Sequence, residues 1–350
     1  MANEAQKPRH VIVMTDLARG DDYGAVLALC AYVAMNKRMQ FSFVGTYGNR
    51  SIQEATDNLS RQIPYLWKQL GQSKNTCPQI YTGADRPTNS PAPYEVAPHA
   101  VERLIHGEFP THNGIETSPA KPVDELYQTL KQGNIPIALL SLGAPTEAVT
   151  ATRALGSLIQ YSVAMLASVS IQGNTWPHRE ANATHDPVAN EELLALSEEN
   201  KIPLTLVPLD CTEEPLVLIT PKVLRQIEKE LGRNSFAFGE ILSIAGKNSV
   251  YGAYYFGKTW RSEHFPFKKF KYTGVPLHDL TAAMVLIDCL RRKRDPLFKY
   301  AKKIPLLADS MGNIGLSRDY FNPKDHAVDI AGPITNKYWP EIVKLLKRYH

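Results

Sequence analysis

The chain has 350 residues, 43% of them hydrophobic, which is enough for a large buried core. Its 39 Lys and Arg against 35 Asp and Glu leave a net charge of +4, too small and too dispersed to indicate a nucleic-acid-binding surface. No apolar export signal and no apolar run of the roughly 18 residues needed for a membrane span occurs, and the four cysteines are too far apart for a zinc or disulfide pattern. We therefore expect a cytoplasmic protein with neither a nucleic-acid nor a membrane partner.

The first predicted elements enclose a group of acidic residues. Residues 11–14 form an apolar run typical of a strand buried on both faces of a parallel sheet, and residues 25–35 predict a helix packed on that sheet. Asp16, Asp21 and Asp22 lie between them, at the strand end where open α/β sheets bind ligands. Such closely packed acids repel one another unless a cation or hydrogen-bond donors compensate. The pattern indicates a metal or catalytic site; the alternative is a solvated turn whose acids favour the helix dipole.

Strands and helices alternate along the rest of the chain. Apolar strand patterns occur at 39–46, at the start of 80–87, and at 135–142, 163–171 and 203–209, and helical patterns occur at 124–131, 147–159, 187–200 and 280–290. Ser51 and Glu54 have the capping-box spacing for another helix, and residues 107–122 predict a long loop. The alternation predicts an α/β fold with a single open, mostly parallel sheet, helices on both faces, and one domain over residues 1–350.

Polar residues follow several of the predicted strands or open the last helix. They are Asn49, Asn174, Glu180, Asn182 and the pair His278-Asp279. Each has an ordinary explanation, since Asn suits turns, Asp279 can cap its helix, and a lone His is more often structural than catalytic. Because the strand ends share one edge of the sheet, we expect these acids, amides and the imidazole to lie together. Amides both donate and accept hydrogen bonds, so they are good partners for sugar hydroxyls.

In this order, the segments resemble those of the nucleoside hydrolases, the inosine-uridine preferring group in particular, along most of residues 10–285. The matching segments are Thr15-Asp16 with Gly20-Asp21-Asp22, Gly48-Asn49, Gly83-Ala84-Asp85-Arg86-Pro87, Ile105-His106-Gly107, Leu142-Gly143-Ala144-Pro145-Thr146, Asn174 with Glu180 and Asn182, and His278-Asp279. The resemblance implies a nucleoside hydrolase-like domain with a Rossmann-like core. Residues 295–350, which match nothing recognisable, are then a divergent extension of the same domain.

The resemblance also implies an activity, the calcium-dependent hydrolysis of the N-glycosidic bond of ribonucleosides to ribose and a free base, as in purine and pyrimidine salvage. The Ca²⁺ ligands would be Asp16, Asp22, Asp279 and the carbonyl oxygen of Leu142. This all-oxygen set suits a hard cation. Asp21 would be the base that takes a proton from water, and His278 and His106 would help to protonate the departing nucleobase.

The remaining predicted site residues would bind the nucleoside, the small-molecule partner that the resemblance implies. Those expected to hold the ribose are Asn49, Asn174, Glu180 and Asn182. Tyr254 and Trp260, in an aromatic segment before His278, would stack on the nucleobase if they form a lid; the alternative is that they are ordinary core residues. Family members are commonly dimers or tetramers, so we also expect a homodimer or homotetramer.

Three departures from the family pattern leave a second function open. Met14 stands where the family usually has an aspartate, the loop from Asp16 to Asp21 is one residue longer than its commonest form, and Ala181 replaces a frequent aromatic residue. Loss of a carboxylate that supports metal ligands can cost ~10–100-fold in metal affinity or activity. The alternative is therefore a catalytically impaired homologue that binds a nucleoside or another ribosyl ligand.

Overall fold

A ten-stranded, mostly parallel sheet forms the centre of the protein. The computed structural model describes residues 7–18, 20–90, 109, 117–169, 171, 173–174, 179–246, 274–291, 296–308, 314–316 and 326–349. The strands are β1 (His10–Thr15), β2 (Gln40–Gly45), β3 (Gln79–Thr82), β4 (Lys121–Pro122), β5 (Ile137–Ser141), β6 (Ile159–Met165), β7 (Leu204–Val207), β8 (Phe298–Ala308), β9 (Ile314–Leu316) and β10 (His326–Ile334).

Several helices accompany these strands within the described ranges. They are α1 (Asp21–Met35), α2 (Ile52–Gln69), α3 (Val123–Gln132), α4 (Thr146–Leu155), α5 (Ala181–His185), α6 (Pro187–Glu199), α7 (Leu209–Thr212), α8 (Pro221–Leu231), α9 (His278–Arg291) and α10 (Tyr338–Leu346). Residues 236–246 are also helical. No helix in this part of the chain is both long and apolar enough to cross a membrane.

The strand order creates a topological switch point between β1 and β5. Across the sheet the order is β4-β3-β2-β1-β5-β6-β7-β10-β8-β9. All neighbouring strands from β4 to β10 are parallel, whereas β8 runs antiparallel to both β10 and β9. The chain therefore extends the sheet first to one side of β1 and then to the other. A crevice that can hold a ligand forms at the carboxyl ends of the strands at such a point.

Helices cover both faces of the sheet, as predicted. Successive side chains of a strand point to opposite faces, and in β1 Val11 and Val13 join one core cluster while Ile12 and Met14 join the other. The first cluster contains buried residues of α1, α2, α9 and α10. The second contains residues of α3, α4 and α6. The connections after β1 and β5 thus leave the switch point toward different faces.

Local sequence signals succeed at one helix boundary and fail at another. The predicted capping box is confirmed, because the Ser51 hydroxyl accepts from the Glu54 N–H and the Glu54 carboxylate accepts from the Ser51 N–H. The predicted helix over 147–159 is wrong at its end, since α4 stops at Leu155 and β6 already begins at Ile159. Ile159 pairs with β5, a partner more than twenty residues earlier in the chain. The strand predicted at 163–171 accordingly starts earlier and ends at Met165.

The C-terminal region belongs to the same sheet. β10 runs parallel to β7, with Asp329 opposite Thr205, and antiparallel to β8. Helix α10 packs in the core cluster that contains α1. Just beyond it, the buried Tyr349 hydroxyl donates to the Leu27 carbonyl at 2.6 Å. Residues 298–349 therefore supply strands and core side chains that the sequence did not predict.

A buried carboxylate joins three segments on the second face. Glu147, in the first turn of α4, is 1% exposed. Its Oε2 accepts from the Ala84 N–H, just after β3, and its Oε1 accepts from the Tyr127 hydroxyl of α3, both at 2.5 Å. A Cβ on Gly83 would lie 2.5 Å from the same Oε2, so the close approach requires glycine. Burial raises the pKa of Glu147 to about 7.

This pKa predicts a pH-dependent stability that Glu147→Gln should remove. Below about pH 4.5 the carboxyl is protonated in both the folded and the unfolded chain; as the pH rises toward 7 it ionises first in the unfolded chain, so the free energy of unfolding falls. The shift corresponds to a loss of about 3 kcal/mol. The Gln amide can accept from Ala84 and donate to Tyr127, as the protonated acid does. Urea unfolding at both ends of this range should show a smaller fall in the variant; an equal fall would contradict the prediction.

Candidate active site

Four aspartates meet at the switch point. Asp16 directly follows β1, Asp21 and Asp22 begin α1, and Asp279 lies in the first turn of α9. Asp16, Asp22 and Asp279 are 1%, 3% and 5% exposed, whereas Asp21 is half-buried. The charges of Asp16, Asp21 and Asp279 all act on Asp22, whose Oδ1 accepts from the Thr15 hydroxyl at 3.2 Å. The fold thus brings together acids that are separated by more than 250 residues in the chain.

The acids perturb one another strongly. Burial raises the pKa of Asp16, Asp22 and Asp279, and the neighbouring carboxylates raise all three further. No described Lys, Arg or His forms an ion pair with any of the three. No group of three or more Asp, Glu, His or Cys side chains among the described residues is already arranged to hold a metal ion. Neutral donors satisfy part of the acids' hydrogen-bonding capacity instead, namely the Asn49 N–H at Asp16 and the Thr15 hydroxyl at Asp22.

Close packing from neighbouring loops surrounds Asp16. Its Oδ2 accepts a very short hydrogen bond from the Asn49 N–H, and a Cβ on Gly48 would collide with the same carboxyl group. Its Oδ1 is buried and has no hydrogen-bond partner among the described residues, and the same holds for the hydroxyl oxygen of Thr46. A Cβ on Gly143 would lie 2.8 Å from that hydroxyl and 3.4 Å from the Asp16 nitrogen. An unpartnered carboxylate oxygen in such a place is costly unless a ligand contacts it.

The carbonyl group of Leu142 lies at the end of β5, next to β1. The Leu142 N–H donates to the Met14 carbonyl at 2.8 Å, which continues the pairing of the two strands. The Leu142 oxygen accepts from Asn182 Nδ2 at 3.3 Å, and the same Nδ2 donates to the Met165 carbonyl at 3.0 Å. A carbonyl oxygen has two lone pairs, so this contact leaves one for a further ligand.

Met14, which stands where the resemblance predicts an aspartate, packs among apolar side chains. It is fully buried in the second core cluster, together with Val44 and Leu139 on the flanking strands. An ionised carboxylate at this position would be buried in an apolar cluster, which is unfavourable.

Three of the four predicted ribose-binding residues, Asn174, Glu180 and Asn182, lie in or before α5. Glu180 caps this helix: its Oε1 accepts from the Asn182 N–H and its Oε2 from the Ala183 N–H, each at 2.9 Å. Burial raises the pKa of Glu180 to about 7. Asn174 is anchored through its Oδ1, which accepts from the Ala181 N–H at 3.0 Å. These contacts orient the side chains, and no hydrogen bond to another described residue occupies the amide hydrogens of Asn174 or the Oδ1 of Asn182.

His278 ties the start of α9 to the aspartates. Its backbone N–H donates to Asp21 Oδ2 at 3.1 Å, and its ring Nδ1 lies 2.6 Å from the buried Thr212 hydroxyl of α7. The ring and the Asp21 carboxylate are therefore both held by hydrogen bonds. Three predicted site residues lie outside the described residues: His106, Tyr254 and Trp260.

Buried polar residues beside the site were not assigned from the sequence. Tyr47, Thr146 and Asp186 form a hydrogen-bonded chain, and Thr212 holds the imidazole. Thr146 lies inside a matched family segment, and the Asp186-Pro187 pair is typical of a helix start. No local signal indicates that these side chains meet, because their contacts span up to 99 residues.

The chain matches the family model described as inosine-uridine preferring nucleoside hydrolase over residues 11–335. It belongs to this family of N-ribohydrolases, enzymes that act on N-glycosyl bonds. The match continues past residue 285, where the recognisable resemblance in the sequence ends, and therefore includes β8, β9 and β10. No curated protein matches the chain in a sequence search.

Solved structures of nucleoside hydrolases share the fold over nearly the whole chain. A purine-preferring ribonucleoside hydrolase from Gardnerella vaginalis is 19% identical, with a TM-score of 0.68 over 97% of this chain and 98% of that one. A plant nucleoside hydrolase is 18% identical, with a TM-score of 0.68 over 98% of each chain. An inosine-uridine preferring nucleoside hydrolase from Bacillus anthracis is 16% identical, with a TM-score of 0.64 over 97% and 99%. At these identities the likeness establishes a common fold.

The contact between Gly48 and Asp16 predicts that Gly48→Ala destabilises the protein. The added methyl group overlaps the Asp16 carboxyl, and overpacking of this kind costs about 1–3 kcal/mol. Gly239 is a matched control, because a Cβ there meets no atom within 4 Å and alanine favours the surrounding helix. Urea unfolding should show a lower midpoint for Gly48→Ala and an unchanged or higher one for Gly239→Ala. Equal midpoints for the two variants would refute the proposed overlap.

Proposed function

We propose that the protein is a calcium-dependent nucleoside hydrolase that cleaves ribonucleosides to ribose and a free base. The observation that carries this proposal is the group of three buried acids, Asp16, Asp22 and Asp279, with no described cationic partner and with the half-buried Asp21 beside them. Buried carboxylates in this arrangement favour a bound cation. Membership in the nucleoside hydrolase family supports the reaction type.

The available oxygen atoms suit a hard divalent cation. We assign as ligands Asp16, Asp22, Asp279 and the carbonyl of Leu142. The unpartnered Oδ1 of Asp16 and the second lone pair of the Leu142 oxygen support this set, and carboxylate and carbonyl oxygens are the ligands that Ca²⁺ takes in proteins. When bound, the ion would orient a water molecule and lower its pKa.

Asp21 is the proposed general base. Its Oδ2 is held by the His278 N–H at 3.1 Å, which fixes the carboxylate relative to Asp279, the next residue of α9. The side chain keeps part of its surface exposed, so the carboxylate can accept a proton from water. On the other side of the scissile bond, His278 and His106 are proposed to protonate the departing nucleobase.

The proposed sugar site combines donors with acceptors. Asn49 lies next to Gly48 in the loop that packs on Asp16, and Asn174, Glu180 and Asn182 are oriented by backbone hydrogen bonds in and before α5. Their remaining capacity matches hydroxyl groups, which also donate and accept. Cleavage of a glycosidic bond passes through an oxocarbenium-like state, which surrounding carboxylates stabilise electrostatically. Stacking of Tyr254 and Trp260 on the nucleobase rests on the sequence alone.

Three single substitutions separate the base from the metal ligands. Asp21→Asn keeps the shape and can still accept from His278, but it cannot take a proton, so kcat should fall ~10²–10⁴-fold with calcium still bound. Asp22→Asn and Asp279→Asn should lose both calcium and activity. Asp57→Asn, an exposed acid on α2, should change neither. Release of ribose from a nucleoside panel and calorimetric calcium titration measure the two effects.

Chelation of the wild-type protein should reproduce the effect of Asp22→Asn and not that of Asp21→Asn. Full turnover by Asp21→Asn would refute its role as the base, and a calcium-free, fully active wild type would refute the metal site. A wild type that binds nucleosides with no release of ribose would be an impaired homologue that acts as a binding protein.

A further inference from the structure

We propose that the hydrogen-bonded chain of Tyr47, Thr146 and Asp186, here called the positioning chain, fixes the relative positions of the ribose-binding loops. It would thereby set the preference for ribonucleosides over 2′-deoxyribonucleosides. The proposal rests on the function proposed above, because it assumes that ribose is bound by these loops. None of the three residues is itself assigned to contact the sugar; they would act through Asn49, Leu142 and Asn182.

The contacts of the positioning chain are short and buried. The Tyr47 hydroxyl lies 2.6 Å from Thr146 Oγ1, and Thr146 donates to Asp186 Oδ2 at 2.7 Å. The same Oδ2 accepts from the Thr88 N–H at 2.6 Å, and Oδ1 accepts from the Ala189 N–H at 3.1 Å. Tyr47, Thr146 and Asp186 are 1%, 8% and 1% exposed. Water therefore has little access to replace these bonds.

The chemistry of the three groups fixes the direction of the hydrogen bonds. The Asp186 carboxylate can only accept, so the Thr146 hydrogen points toward it and the Thr146 oxygen accepts from the Tyr47 hydroxyl. Bonds to a carboxylate are stronger than neutral ones, and each donor in such a series polarises the next. The negative charge of Asp186 thus strengthens the contact that reaches Tyr47.

Each member of the positioning chain lies a few residues from a proposed site group. Tyr47 precedes Asn49 by two residues, in the loop after β2. Thr146 follows Leu142 by four residues, and Asp186 follows Asn182 by four residues, with only the single turn of α5 between them. The positioning chain therefore links the three loops that carry the proposed ribose and carbonyl ligands.

The segments 142–146 and 182–186 touch at both ends, because the two residues of each contact are four positions apart from those of the other. Asn182 donates to the Leu142 carbonyl, and four residues further along both segments Thr146 donates to Asp186. Two contacts fix both the separation and the relative rotation of the segments, whereas one contact would leave rotation free. Tyr47 adds the loop after β2 to this pair. A displacement of about 1 Å at a substrate-positioning group can cost ~10²-fold in rate, so the positioning chain bears directly on sugar recognition.

The test uses the intact protein and variants that remove hydroxyl groups without changing shape. Tyr47→Phe removes the first donor, and Thr146→Val removes the central group. The measured quantity is the ratio of kcat/KM for inosine and uridine to that for their 2′-deoxy counterparts. We expect either variant to lower this ratio roughly tenfold, mainly through a higher KM for the ribonucleoside. Because both act on one chain, the double variant should show little further decrease.

Tyr349→Phe is the matched control. Tyr349 is also a buried tyrosine, and its hydroxyl donates to the Leu27 carbonyl at 2.6 Å, on the face that carries α1 and α10. This variant loses a comparable hydrogen bond away from the ribose-binding loops. Its ribose-to-deoxyribose ratio should equal that of the wild type, even if its melting temperature falls as much as that of Tyr47→Phe.

An unchanged ratio in Tyr47→Phe and Thr146→Val, with equal losses on both sugars, would show that the positioning chain only stabilises the fold and would overturn the proposal. A wild type that hydrolyses no nucleoside would contradict the proposed function instead. In that case, calorimetric titration measures the affinities of the wild type and of Tyr47→Phe for D-ribose and 2-deoxyribose. A smaller preference for ribose in Tyr47→Phe than in the wild type supports the role of the positioning chain. An equal preference in the two proteins, or a wild type that does not distinguish the two sugars, overturns the proposal.

Discussion

Carboxyl groups buried at the carboxyl edge of a parallel sheet impose the main physical constraint on this protein. An ionised carboxylate loses its hydration when it is buried, and the loss must be offset by N–H donors, by shared protons or by a cation. The protein uses two different arrangements. Glu147, Glu180 and Asp186 accept hydrogen bonds from the backbone N–H groups of neighbouring loops, whereas Asp16, Asp22 and Asp279 lie together, with Asp16 accepting from the Asn49 N–H and Asp22 from the Thr15 hydroxyl.

The first arrangement gives the site its shape. Each of the three carboxylates in this arrangement holds a segment at the sheet edge: Glu147 the loop after β3, Glu180 the start of α5, and Asp186 both the start of α6 and the later part of the loop after β3. Loops at the ends of parallel strands have few backbone partners of their own. Side-chain acceptors therefore determine where these loops lie, and with them the residues proposed to bind the sugar.

The second arrangement supports the reactivity proposed for the site. Three acids without a described cationic partner lie next to a fourth that remains half-buried, so the environments of otherwise identical side chains differ. Identical groups in different environments can take different roles, one set binding a cation and one accepting a proton. The topology makes this possible, because the switch point between β1 and β5 opens a crevice into which acids from α1 and α9 can project.

Local patterns in the sequence indicated the alternation of strands and helices, the capping box at Ser51 and the concentration of acids after β1, because each depends on residues within a few positions of one another. Boundaries that depend on pairing were predicted poorly. Ile159 continues a helical pattern, yet it belongs to β6 because it pairs with β5. The C-terminal strands were not predicted at all, since their place beside β7 depends on contacts more than 100 residues apart.

The sequence by itself determined the family, the class of fold and the residue types of the candidate site, because periodicity, spacing and the order of short motifs are properties of the linear chain. Only the tertiary structure decided which groups meet. The contacts of Asp21 with His278, of Tyr47 with Thr146, and of Thr146 with Asp186 span 257, 99 and 40 residues. Such pairs have no local signal, since their geometry follows from strand order and from the need to give each buried polar group a partner.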